Sequence, residues 1–155
     1  MLTFRQSGWL SCLAFILHVL EEWPRFTHWA KVHVSSRFTR HDYNTIHIAG
    51  IAVSVVSALI VWLFPNRTIV FLFFAFVFAP AVFFNAMFHA GASPLTRTYC
   101  PSAITTLAIY LPLFALITDR AWVEGLLGPG KITVALVLAG LFHALEVGHN
   151  VFKAW

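Results

Sequence analysis

Three of the six acidic residues in this 155-residue chain, Glu21, Glu22 and Glu146, lie in or beside long apolar stretches, each with a histidine nearby. His18, Glu21 and Glu22 stand at i, i+3 and i+4, so a helix would carry them on one face. His143 and Glu146 repeat the i, i+3 spacing, and His149 and Asn150 follow Glu146 by three and four positions. Asn85 and His89 form another i, i+4 pair, and His47 opens a further apolar run. Ionisable side chains within apolar segments are expensive and mark a function by default. Helical bundles build metal sites from imidazole and carboxylate groups on several helices; di-iron carboxylate proteins use Glu-x-x-His on two of them, and here the order is reversed. Such donors suit Zn²⁺, Fe or Mn rather than a soft thiolate-bound metal. A carboxylate left uncompensated at this depth costs several kcal/mol, which a divalent ion offsets.

The elements that must position these groups follow from composition. Hydrophobic residues make up 59% of the chain and charged residues 10%, with sixteen Phe and six Trp. A soluble fold could not cover its surface with so few polar groups. Nucleic-acid binding is excluded, because the net charge of +4 is spread over ten basic residues with no basic run. Five segments are long and apolar enough to be read as spans of about twenty residues. They cover about 4–22, 46–64, 68–89, 101–117 and 132–151, and make the chain one all-α integral membrane bundle. The first reads as a span rather than a signal peptide, since no small-x-small cleavage site follows it. Cys12 and Cys100 are two unpaired thiols in an apolar run and a short loop.

Pro65-Asn66 makes a tight turn, residues 91–98 form a loop, and Pro101 suits the first turn of the fourth helix. The long connection 23–45 should hold a short interfacial helix, with Trp23, Phe26 and Trp29 at headgroup level. Pro80 and Pro112 fall mid-span and should bend their helices. The Phe-rich run 71–78 reads as lipid-facing bulk, and His28, His33 and His41 as solvated. Five spans put the termini on opposite sides. The side of the long loop carries Arg25, Lys31, Arg37, Arg40, Arg97 and Lys153, against Arg5, Arg67, Arg120 and Lys131 on the other. The positive-inside rule then places the long loop and the C-terminus in the cytoplasm. With this topology every polar motif falls in the leaflet beneath the long loop.

The residues His18-Val19-Leu20-Glu21-Glu22 resemble the signature of the HXXEE family of small bacterial membrane proteins. That family also carries a further histidine, matched by His89, and a Tyr-x-Pro-Gly motif, which here reads Tyr99-Cys100-Pro101-Ser102. Ser102 stands where the family has Gly, and a position with φ > 0 would resist it. The resemblance covers residues 18 to 102 and implies a bacterial membrane protein, in a family of unknown function.

These readings make the chain a membrane metalloenzyme of the bacterial inner membrane, acting on a lipid or other lipid-soluble small molecule. One or two divalent ions would be held by His18, Glu21, His89, His143 and Glu146. His47, Asn85, His149 and Asn150 stand as reserve ligands or as groups supporting them. Glu22 would act as general acid/base or bridge, and Tyr99 would position substrate or donate a proton. Hydrolysis by an activated water and, with iron, oxidation of an alkyl chain both remain open. A metal-ion or proton carrier or sensor would use the same residues, but the opposite leaflet offers it mainly Ser54, Ser57 and Tyr110. A structural subunit held by buried ion pairs is the third reading.

Overall fold

The computed structural model describes residues 2–152, with side chains for residues 2–148. Six helices account for nearly all of it, and no strand occurs among the described residues. Helix α1 is Phe4–Glu22, α2 is Phe26–His33 and α3 is Arg40–Leu63. Helix α4 runs continuously over Arg67–Thr96 and α5 over Ala103–Val123. The last, α6, is Pro129–Phe152. The all-helical membrane bundle expected from the sequence is the architecture found.

Helix starts are written locally. Thr3 and Gln6 form a capping box on α1, and Thr39 and Asp42 form another on α3. The Asn66 carboxamide oxygen accepts from the amides of Thr68 (3.1 Å) and Ile69 (3.0 Å), which turns the chain sharply into α4.

Helices α3, α4, α5 and α6 are long and apolar enough to cross a bilayer. Helix α1 has the length, but Arg5, Gln6 and its terminal Glu21-Glu22 dilute its apolar content. It instead turns Ser7, Gly8, Ser11, Cys12, His18 and Glu22 inward and packs chiefly on α3. Its other face exposes Leu13, Ile16, Leu17 and Leu20.

Helix α4 is the axis of the bundle. Half of its most apolar window is buried, against 11–22% in the other three. This corrects the lipid-facing reading of the Phe run. Phe73, Phe74 and Phe78 are buried, Phe74 and Phe78 against Phe114 and Phe73 against Phe4, while Phe76 is partly exposed. A helix apolar on all sides belongs in the centre, where neighbours cover every face. Pro80 lies inside a π-helical stretch, Phe74–Phe84, whose wider turns accommodate a residue with no N–H to give. A second π stretch, Thr106–Tyr110, comes just before Pro112.

Two connections differ from expectation. Residues 91–96 are not loop but the last turns of α4, which passes through Pro94 and ends where Arg97 takes a left-handed φ of 53°. Trp29 of α2 does not lie on the protein surface. It is buried with Ala30, Ala92 and Cys100, and its indole N–H donates to Thr98 Oγ1 at 3.1 Å. An indole can bury its body when its single donor finds a partner. Helix α2 is thereby folded over the end of the bundle that holds the polar motifs.

Candidate metal centre

Glu22 sits at the middle of this end, 2% exposed, with three imidazoles around its carboxylate. His18 Nε2, one turn earlier on α1, lies 3.4 Å from Oε1. His89 Nε2 from α4 lies 3.1 Å from the same oxygen, and His47 Nε2 from α3 lies 2.7 Å from Oε2. One donor atom each from His18, Glu22 and His89 fits within 4.8 Å, and all three residues are buried.

The far sides of the rings decide how they face Glu22. His47 Nδ1 lies 2.7 Å from the Tyr43 carbonyl, which can only accept, so Nδ1 carries the proton. In neutral His47 the Nε2 lone pair then points at a carboxylate oxygen. Oε2 has no hydrogen bond of regular geometry despite that approach. His18 is held the same way round: Asn85 Nδ2 donates to Nε2 at 3.0 Å, and Nδ1 faces Thr105 Oγ1 at 3.4 Å. His89 Nδ1 meets the buried Cys100 Sγ at 3.2 Å. In neutral form His47 thus sets a lone pair against a carboxylate oxygen, the His18 Nε2 lone pair is taken by Asn85, and no Lys or Arg lines the space around them. A proton on His47 or a cation between the two groups would relieve the repulsion of its lone pair and Oε2 at 2.7 Å.

The two glutamates of the motif have separate partners. Glu21 turns away from the cluster to the start of α5. Its Oε2 accepts from the Thr105 amide at 2.8 Å, and its Oε1 accepts from the Ile104 amide at 3.3 Å and from the Tyr99 hydroxyl. A carboxylate on the first amides of a helix is favoured by unpaired N–H groups and the helix dipole. Tyr99 is spent on this contact. Desolvation, then the Glu21 carboxylate beside it, push its phenol up to about 12, so it stays protonated.

The remaining sequence-selected residues surround the same space. Asn85 touches His18, while His143 and Glu146 line the cavity from α6, across from the Glu22 cluster. His143 Nε2 is buried without a hydrogen-bond partner. The side chains of His149 and Asn150 lie outside the described residues.

Three contributors were not assigned to the site from sequence. Tyr43 orients His47 through its carbonyl and its stacked ring. Cys100 backs His89; burial, then the charges of Glu22 and Glu21, push its thiol up to about 12, so it faces the imidazole as S–H. Ser102 adopts φ 74°, which explains a Gly there, and its Oγ donates to the His18 carbonyl at 2.9 Å.

The profile of a family described as proteins of unknown function with an HXXEE motif matches residues 9–117. The chain belongs to the HXXEE family. Within that stretch lie His18, Glu22, His47 and His89, together with Asn85, Cys100 and Ser102, so the HXXEE part of the chain contains the whole Glu22 cluster. Helix α6 lies beyond it. No curated protein and no solved structure matches the chain.

Proposed function

We propose that the HXXEE motif and its partners hold a divalent metal ion and that the chain is a membrane metalloenzyme acting on a hydrophobic substrate. The observation that carries the reading is His47, whose Nδ1 is committed to the Tyr43 carbonyl while its Nε2 meets the orphaned Glu22 Oε2 at 2.7 Å. Ligating histidines are commonly held this way, the outer nitrogen bonded to a carbonyl and the inner lone pair free. His18, Glu22 and His89 form the first set of donors, and His47 is the fourth. Three imidazoles and one carboxylate fit Zn²⁺, Fe²⁺ or Mn²⁺. A bound ion of this kind supplies Lewis acidity and an activated water at neutral pH.

The protein's own groups define the rest. Asn85 competes for the His18 lone pair and is displaced when that nitrogen takes a ligand. His143 and Glu146 face the centre across the cavity, where a substrate head group would lie between them and Glu22; Glu146 is the group there able to take or give a proton. Transport would need polar groups to continue through the bundle. Beyond His18 the buried polar groups are hydroxyls, among them those of Ser11, Ser7 and Tyr110, set beside a core of Phe73, Phe74, Phe78 and Phe114.

The reading includes α1 as a fifth crossing, the site end toward the cytoplasm and the inner membrane as location. The crossing is supported by Phe4 N, which donates to Glu124 Oε1 at 2.6 Å while Glu21 holds the opposite end of α5, and the orientation by the excess of Lys and Arg on the side of the long loop. Helix α1 thus runs beside the full length of a helix apolar enough to cross.

Elemental analysis of protein purified in mild detergent without a histidine tag tests the centre. We expect about one divalent ion per chain, as in His/carboxylate sites of this kind. His89→Ala and Glu22→Gln should lose it, whereas Glu21→Gln and His33→Ala should keep it. Wild type without stoichiometric metal under several metal supplies would leave a protonated His–Glu cluster as the better account.

A further inference from the structure

The cavity beside Glu22 measures about 580 Å³, within the range of small-molecule sites of about 300–1,000 Å³. Its ionisable groups gather at one end. Away from them the walls are Gly50, Val53 and the hydroxyl-bearing Ser54 on α3, Phe76, Val77 and Pro80 on α4, and Phe142 on α6. From His89 back to Phe76 the slot follows α4 over several turns. Helix α6 packs along the middle of α4, and α3 packs on α1; α3 and α6 have no extended packing with each other among the described residues. The slot therefore opens sideways between α3 and α6. Val53 and Phe142 line it and are also 52% and 44% exposed, at a face with the composition to meet lipid.

We infer that this slot takes the hydrocarbon chain of a single-chain amphiphile, which enters from the bilayer between α3 and α6 and brings its polar head to Glu22. The inference rests on the metal-centre reading for the place of the head. A long apolar slot ending in a polar cluster fits a molecule with the same asymmetry. A water-soluble substrate would leave most of the walls unsatisfied, and a two-chain phospholipid exceeds the volume. Gly50 contributes by having no side chain: a Cβ there would come within 2.9 Å of the Phe15 ring. Phe15 lies nearly parallel to the His18 and His47 rings, with centroids 6.3 and 6.1 Å away, and so stands where the apolar slot meets the imidazoles.

The test uses the full chain in lipid nanodiscs and a diazirine-bearing hexadecanol as photoprobe, with metal content measured on the same samples. Crosslinks should map to residues 46–53 of α3 and 142–147 of α6, and excess hexadecanol should compete them away. Val53→Trp, and separately Ala49→Phe should the first fold poorly, should cut competed labelling by roughly tenfold, equivalent to about 1.4 kcal/mol. Leu59→Trp, on the same helix outside the slot, should leave it unchanged. Labelling spread over all exposed faces, resistance to competition, or indifference to both slot variants would overturn the inference. Competed slot labelling in protein that holds no metal would support the slot and overturn the metal centre alone. Stoichiometric metal with uncompeted labelling would overturn the slot alone.

Discussion

Glu21 and Glu22 differ by one residue, which on a helix is a rotation of about 100°, and that rotation separates two tasks. Glu22 faces three histidines, and Glu21 holds the start of α5. The spacing His18-x-x-Glu21-Glu22 made both carboxylates legible as functional. It could not say which one reaches the cluster, because that depends on how α1 is rotated against α3 and α5. Ser102 gives a test at this scale. Its left-handed φ costs about 1–2 kcal/mol for a residue with a Cβ, and its hydroxyl contributes a hydrogen bond of about 1 kcal/mol to the His18 carbonyl. Ser102→Gly removes both and should be near neutral in thermal unfolding. Ser102→Ala keeps the strain and loses the bond, and should lower stability by about 1–2 kcal/mol.

At the scale of elements, α1 and α5 form an antiparallel pair clasped at both ends by carboxylates on helix-start amides. Glu124 takes the Phe4 amide of α1, and Glu21 takes the Thr105 amide of α5. Each clasp satisfies a donor that a helix start otherwise leaves unpaired. Glu124→Ala should destabilise by about 1–2 kcal/mol without changing metal content, since it lies at the far end from His18. Glu21→Ala should cost a similar amount, and the two should add, being far apart with no shared partner. Non-additive unfolding would mean that the clasps act through one another. Helix positions were readable from hydropathy because apolar length is a strong signal. The ends were not: α4 continues through Pro94 to Thr96, and α2 buries Trp29, because tertiary packing overrides both the Pro signal and the aromatic-belt expectation.

For the whole molecule, the polar motifs collect at one end, which the topology reading anticipated from sequence. His47 from α3, expected from sequence as a reserve ligand or supporting group, instead meets Glu22 directly beside His18 and His89, since sequence does not show which helices touch. Orientation is testable by labelling single cysteines, in a background without Cys12 and Cys100, with a membrane-impermeant maleimide. Gly128→Cys and Thr3→Cys should react from outside, and Arg97→Cys and Arg37→Cys only after the membrane is opened. Thr3→Cys reacting with the second pair would mean that α1 does not cross. Helix α6 begins at Pro129, past the matched stretch that ends at residue 117, and it forms one bank of the sideways opening. Every donor around Glu22 comes from helices before it. The proposed donors and one bank of the slot are therefore written in different stretches of the polypeptide: a relative that exchanged its last helix would keep the cluster around Glu22 while changing both the opening and the groups, His143 and Glu146, that face it.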